Sequence, residues 1–402
     1  MRGNLLVGQS GGPTAVMNAS LAGVVEEAWQ HPEISGIFGA LNGIEGVLSG
    51  KIVDLRQEDA ATLKALKSTP AAALGSCRYR LRPGDAARAL RVLQDHDVRY
   101  FLYIGGNDSA DTSHRLAEEA RQAGYDLRVI GVPKTIDNDL PVTDHCPGYG
   151  SIARFVAMAT MDAGRDTEAM KAVDPVKIIE VMGRNAGWVA AASALGKRQD
   201  NDAPHLIYFP ERPLVADRFV ADVKRVYDTL GYAVVVVAET VRDENGRPWA
   251  SGYSLMESDD FGHRRLTGTA ESLCRLIGKR LGLHARWDRP GTIQRMSVVC
   301  GSKVDSDEAY AVGQHGVRYA LAGHSDSMVV IVRHTGPAYT CSYDLAPLET
   351  IANNEKRLPD HYINAQGNFV TPSFVEYAMP LIGGPLPEYA RLRKVPVRGL
   401  QQ

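Results

Sequence analysis

Lys134-Thr135-Ile136-Asp137-Asn138-Asp139 sets a cation, a hydroxyl and two carboxylates in one short run, directly after Pro133. Residues 127–132 read as a buried strand, which the proline stops. A carboxylate in such a run can take a proton or share a metal ion. In an open parallel sheet, ligands bind beyond the carboxyl ends of strands, so this loop is expected to border a cleft. An isolated D-N-D is ordinarily a solvated turn. Polar loops elsewhere in the chain supply what this one lacks, and that favours a site.

Two of those loops are glycine turns. Ser10-Gly11-Gly12-Pro13-Thr14 follows a predicted strand over 4–9 and precedes a helix over 15–30. Gly105-Gly106-Asn107-Asp108-Ser109 follows a strand over 100–104 and precedes a helix over 111–123. Strand, glycine turn and helix in that order can cradle a phosphate, because amides at the helix start face the anion. Neither turn is a G-x-G-x-x-G or a P-loop. Gly50-Lys51 also fails, since Ile52 follows where Ser or Thr is needed. A small-residue loop over 74–78 offers Arg78. Met182-Gly183-Arg184 follows a strand over 177–181, and Glu239 ends an apolar strand over 232–239. A loop over 286–295 carries Arg286, Arg289 and Arg295. Cations, carboxylates and glycine turns form the inventory of phosphoryl transfer, which relies on positioning, cation and magnesium stabilisation and one base. There is no Ser/His/Asp set and no H-E-x-x-H, and the scattered histidines are expected at the surface or in the core.

The elements that must hold these loops alternate. Strands over 4–9, 37–41, 100–104 and 127–132, with helices over 15–30, 85–96 and 111–123, predict a doubly wound parallel sheet. The pattern restarts after Gly148: helices over 151–163, 187–195, 216–230 and 270–281, and strands over 177–181, 205–209 and 232–239. A helix over 307–322 and a strand over 328–332 follow. From about residue 358 the chain reads as irregular, and its basic tail over 391–398 as solvated surface. At 402 residues the chain suits two α/β domains. A net charge of −2 argues against nucleic-acid or membrane partners. Five cysteines without a C-x-x-C pair favour reduced thiols, and neither a membrane span nor a signal sequence is apparent. The expected location is the cytoplasm.

At these residues the sequence closely resembles the phosphofructokinase family. The match runs from Gly8-Gln9-Ser10-Gly11-Gly12 through Gly105–Ser109, Pro133–Asp139, Glu180–Arg184 and Gln294-Arg295, over roughly residues 4 to 355. The resemblance implies two doubly wound parallel-sheet domains with the active site in the cleft between them. Residues 1–148 plus about 294–345 would form the phosphoryl-donor domain, and 149–293 plus about 346–402 the sugar-phosphate domain. It further implies Asp137 as the general base toward a sugar C1 hydroxyl, with Thr135, Lys134 and Arg184 in the catalytic group. Gly11, Gly12, Arg78, Gly106, Asn107, Asp108, Ser109 and Lys134 would hold the donor. Thr135, Asp137, Asp139, Met182, Gly183, Arg184, Glu239, Arg286 and Arg295 would hold the sugar phosphate, Arg286 reaching in from a neighbouring subunit of a homodimer or homotetramer. Mg2+ would be held by Asp108, Asn107 and Asp139.

Departures from the ATP-using members refine the expectation. Asp108 and Lys134 stand where those members carry glycine, and members that use pyrophosphate carry Asp and Lys there. A carboxylate at 108 fills and repels the place of a nucleotide α-phosphate, while Lys134 gives the smaller donor a fixed charge. Asn107, Pro175 and Thr292 replace a magnesium-binding aspartate, a subunit-crossing arginine and a sugar-loop histidine. The expected reaction is reversible, pyrophosphate-dependent phosphorylation of fructose 6-phosphate at C1. The rivals are an ATP-dependent enzyme of the same fold and a non-catalytic sugar-phosphate sensor. A kinase of the NAD-kinase or lipid-kinase type is disfavoured because it would lack T-I-D-N-D and the downstream M-G-R.

Overall fold

The computed structural model describes residues 1–249 and 268–397. β1 (Gly3–Gln9) lies inside a seven-stranded sheet, with β2 (Ile34–Ala40) and β3 (Ile52–Asp54) on one side. On the other side lie β4 (Val98–Gly105), β5 (Arg128–Pro133), β10 (Ser327–Arg333) and β11 (Cys341–Pro347). The chain leaves β1 toward β2 and later returns to β4 on the opposite flank. The β1/β4 junction is therefore the topological switch point, where a crevice opens at the strand ends. Register brings the carboxyl ends of three strands level, since Gln9 pairs with Ile104 and Gly105 with Pro133. All three motif loops of the first half thus leave the same edge. From Tyr100 onward alternate side chains of β4 enter two separate cores, Phe101 and Tyr103 on one face and Tyr100, Leu102 and Ile104 on the other.

A second sheet is built from β6 (Val176–Val181), β7 (Leu206–Tyr208), β8 (Ala233–Ala238) and β9 (Ala285–Asp288), in the order β7-β8-β6-β9 and parallel throughout. Every residue of β8 is buried, as its unbroken β-branched run requires. Val181 pairs with Ala238, so the loops bearing Arg184 and Glu239 also leave one edge together. The core beneath this sheet takes in Tyr149, Ile152 and Val156 of the helix Tyr149–Met170 and, far along the chain, Leu358, Phe374 and Leu381. Leu348, Ile351 and Ala352 belong instead to a core of the first sheet.

Several local expectations need correction. The sheets are parallel at their centres, but β3 and β11 are antiparallel edge strands. The stretch expected as a loop over 286–295 contains β9 and the short helix Ile293–Met296. Ala285–Asp288 is strand because β6 offers a free edge, a tertiary cause that local sequence does not carry. The helix expected from 111 begins at Asn107, with Gly106 as its N-cap residue. The helix expected over 151–163 extends to Met170. Within the region read as irregular stands the helix Pro372–Ala378. Of the basic tail only Arg391 is docked, pairing with Glu168 at 2.9 Å and Asp202 at 2.6 Å, whereas residues 392–397 are exposed as expected. The tail's end, at Arg398, lies outside the described residues.

Candidate active site

The glycine turn after β1 is pinned from below. The buried Gln9 side chain accepts a hydrogen bond from the Leu74 amide at 2.9 Å and donates to Asn18 Oδ1 at 3.0 Å. Asn18 in turn accepts from the Ala73 amide and donates to the Thr69 carbonyl. The Gly11 amide donates to the Cys77 carbonyl, and the Ser76 hydroxyl to the Gly11 carbonyl. These bonds stitch residues 69–78 to the turn and bring Arg78 beside it. A Cβ on Gly12 would stand 2.7 Å from an Arg295 guanidinium nitrogen and 3.7 Å from one of Arg78, so glycine is needed for that approach. Gln9 and Asn18 escaped the sequence reading; their signal is a polar residue at a strand end and another on an otherwise apolar helix face.

Lys134 reaches the same turn. Its amide donates to the Gly105 carbonyl, and its ammonium donates to the Gly12 carbonyl at 3.0 Å. Burial, then Arg184 and Arg295, push this lysine down to about 7, while Asp137 pulls it up. An anion bound there would restore the charged form by lifting the repulsion. Gly106 leads into the helix Asn107–Gln122, whose first amides and positive dipole end face the crevice. Asp108 and the buried Ser109 lie in that first turn. Asn107 Oδ1 is buried and has no hydrogen-bond partner.

The base-bearing loop is equally constrained. Thr135 Oγ1 accepts from the Asp137 amide at 3.1 Å, and the Thr135 amide donates to the Pro147 carbonyl. Asn138 is left-handed (φ +55°), and its side chain accepts from the Cys146 amide at 3.0 Å. This short polar residue tolerates that backbone and turns Asp137 and Asp139 to either side. Burial and the neighbouring Asp139 raise the Asp137 carboxyl to about 6, against the pull of Arg184, Lys134 and Arg295. Asp139 is raised too, by burial and by Glu355.

From the second sheet, the Met182 amide donates to Gln294 Oε1 at 3.2 Å, tying the Met182-Gly183-Arg184 loop to the helix that carries Arg295. Arg184 is left-handed (φ +48°), and its carbonyl accepts from the Thr240 hydroxyl. Its guanidinium lies 3.6 Å from Asp137 and 3.9 Å from Asp108, bridging the two sheets. Glu239 is pushed up to about 8 by burial, then by Asp137 and Glu180, so at neutral pH its carboxyl can donate a hydrogen bond.

The fold thus gathers Gly11, Gly12, Arg78, Lys134, Asp137, Arg184, Glu239 and Arg295 around one crevice. Arg286 stands apart from that group. It lies on the edge strand β9, largely exposed, and pairs with Asp174 at 2.6 Å. Among the described residues no three His, Cys, Asp or Glu side chains gather as a metal site. Magnesium needs only one or two carboxylates when phosphate oxygens and waters complete its shell. The unpartnered Asn107 oxygen beside Asp108 fits that sparse requirement.

A crevice with clustered guanidinium and ammonium groups, two glycine turns and a carboxyl poised near neutrality is the site of a phosphotransferase. The chain belongs to the phosphofructokinase family, whose family model, described as Phosphofructokinase, matches residues 4–318. It is 42% identical to the pyrophosphate--fructose 6-phosphate 1-phosphotransferase of Rhodospirillum rubrum, over 98% of this chain and 97% of that protein. The same identity relates it to the enzyme of that name from Xanthomonas campestris, again over 98% and 97%. Among solved structures, a pyrophosphate-dependent phosphofructokinase from Nitrosospira multiformis superposes with a TM-score of 0.87 and 38% identity, covering 100% of this chain and 99% of that one. All five cysteines are free thiols, and among the described residues no helix is long and apolar enough to cross a membrane.

Proposed function

We propose that the chain transfers a phosphoryl group from pyrophosphate to the C1 hydroxyl of fructose 6-phosphate, giving fructose 1,6-bisphosphate and phosphate. The observation that carries this reading is the Lys134 ammonium, set 3.0 Å from the Gly12 carbonyl amid arginines and facing Asp137. The names of the relatives support the same substrates. Pyrophosphate sits between the two glycine turns, its charge met by Lys134, Arg78 and the first amides of the helix Asn107–Gln122. Asp108, close to Arg184, leaves no comfortable place for a further phosphate and so excludes a nucleotide. Thr135 and Asp139 orient the sugar hydroxyl and the base.

Asp137 accepts the hydroxyl proton as the C1 oxygen forms its bond to phosphorus, and phosphate departs with the electrons of the broken P–O bond. Arg184 meets charge on the transferring group, and Met182, Gly183, Glu239 and Arg295 hold the sugar phosphate. Magnesium, when bound, supplies neutralising charge at the phosphate oxygens, and Asn107 and Asp108 would hold it, with Asp139 nearby in the loop. Residues 1–148 with about 294–352 serve the donor, and 149–293 with about 353–402 the sugar; the boundary expected near 345 moves because Leu348, Ile351 and Ala352 pack in a core of the first sheet. In a homodimer or homotetramer Arg286 completes a neighbour's sugar site. Reduced thiols suit a cytoplasmic enzyme.

The bond broken and the bond formed are both phosphate linkages of similar energy, so the reaction runs in either direction. Phosphorus NMR tests this. Protein, magnesium, fructose 1,6-bisphosphate and inorganic phosphate should yield a pyrophosphate signal and fructose 6-phosphate. Failure to form pyrophosphate, with slow release of phosphate alone, would reject the assignment.

A further inference from the structure

The segment after β11 reaches back over the base-bearing loop. The Lys356 amide donates to the Asp139 carbonyl at 2.7 Å, and its ammonium donates to the carbonyls of Thr143 at 2.9 Å and Asp144 at 2.8 Å. Its own carbonyl accepts from the indole of Trp188 at 3.0 Å. Two residues on, the Leu358 amide shares Glu211 Oε1 with the Gly187 amide of the Arg184 loop. The hydroxyl of Tyr377, on the helix Pro372–Ala378, accepts from Asn138 Nδ2 at 3.1 Å and donates to the Asp144 carbonyl at 2.8 Å. Arg333 holds this corner from the first sheet, bonding the Tyr377 carbonyl and the Asp144 carboxylate. One strap therefore grips the loop at Asn138 and at Asp139, Thr143 and Asp144 directly after it, and ties it to the loop that presents Arg184.

We propose that Lys356 and Tyr377 are positioning residues that set the path of residues 137–144 and so aim the Asp137 carboxylate; this rests on the phosphoryl-transfer reading above. Neither side chain is placed against a substrate. Their bonds go to main-chain carbonyls and to Asn138, whose left-handed backbone fixes the angle between Asp137 and Asp139. A misplaced base loses rate far more readily than it loses substrate binding.

Tyr377→Phe tests this with the ring retained, and Lys356→Met is the harsher second variant. Each is made alone and in the Asp137→Asn background, with kcat, KM for both substrates, melting temperature and amide exchange over 134–148 measured. Tyr377→Phe should lower kcat by roughly 5–10-fold, the worth of about one hydrogen bond, while both KM values stay within about 2-fold. Exchange should quicken over 134–148 and stay unchanged in β8. In the Asp137→Asn background the same change should cost almost nothing, because there is no base left to aim. A kcat within 2-fold of wild type, or an equal loss in both backgrounds, overturns the proposal. Should wild type prove inactive with pyrophosphate, the exchange measurement still decides. Faster exchange confined to the loop supports the strap, and unchanged exchange sinks it.

Discussion

Arg184 Nε stands 3.6 Å from Asp137 Oδ2, and this contact joins loops that leave two different sheets. One partner comes from the carboxyl end of β5 and the other from that of β6. Closing the crevice by even an ångström would change how strongly the guanidinium restrains the base. The protonation of Asp137 is therefore tied to how the two sheets sit across the crevice.

Asp137→Asn keeps the shape of the loop and removes the proton acceptor. The expected loss in kcat is ~10²–10⁴, with sugar-phosphate binding near normal. Stability should move the other way. The carboxyl titrates at about 6 in the folded chain against an ordinary aspartate value of 3.8, so the folded form favours the proton. The associated stability is present below the unfolded value and disappears as pH rises through 6. Asn mimics the protonated form. Its melting temperature should come closest to wild type below about pH 4 and exceed it by a margin that widens up to about pH 6 and persists at pH 8. A variant that is equally active, or less stable at pH 8 than at pH 5 relative to wild type, would contradict the assignment.

Lys134 and Asp137 together predict a narrow pH profile for the free enzyme with pyrophosphate. Activity in kcat/KM should rise as Asp137 loses its proton near 6 and fall as Lys134 loses its proton near 7. In Lys134→Arg the guanidinium stays charged, so the alkaline fall should move up by at least ~2 pH units. An alkaline limb that stays put in that variant would remove Lys134 from donor binding.

Asn107 lies inside the helix, with Gly106 in the capping position, and its side-chain oxygen is buried without a partner. A mere cap role is thereby disfavoured. Asn107→Asp should tighten apparent magnesium affinity, by roughly 3–10-fold for one added charge partly offset by burial. A magnesium titration of the pyrophosphate reaction that overlays wild type would eliminate the metal role.

Arg286 is held out on the edge of the second sheet by Asp174, which also bonds His284. An arginine presented this way can serve a neighbouring copy. Mixing Arg286→Ala with Asp137→Asn protein should then restore activity through hybrid sites that lack neither group. A fully active monomer by sedimentation would sink the shared-site idea.

Much of the positioning was legible in the sequence, and the reasons are local. The run Ala233–Ala238 is apolar throughout with β-branched Val234–Val237 at its middle, and the three motif loops carry their own turn residues. What escaped was set by distant partners. Cys341–Pro347 alternates weakly and became strand by pairing with β10, and Ala285–Asp288 by pairing with β6. Gln9 and Asn18 carry no motif, and their role is visible only once residues 69–78 fold onto them. Lys356 and Tyr377 are more than 200 residues beyond the loop they grip, so no spacing rule reaches them.

Asp108 and Lys134 are expected to select pyrophosphate over a nucleotide, and initial rates with the two donors on one preparation test that selection. Fructose 6-phosphate and magnesium are held constant while pyrophosphate or ATP is varied, and formation of the bisphosphate is followed. Robust turnover with pyrophosphate and little with ATP is the expected result. Replacing both Asp108 and Lys134 by glycine should cut the pyrophosphate rate and open weak ATP use. Equal turnover of wild type with the two donors would contradict it.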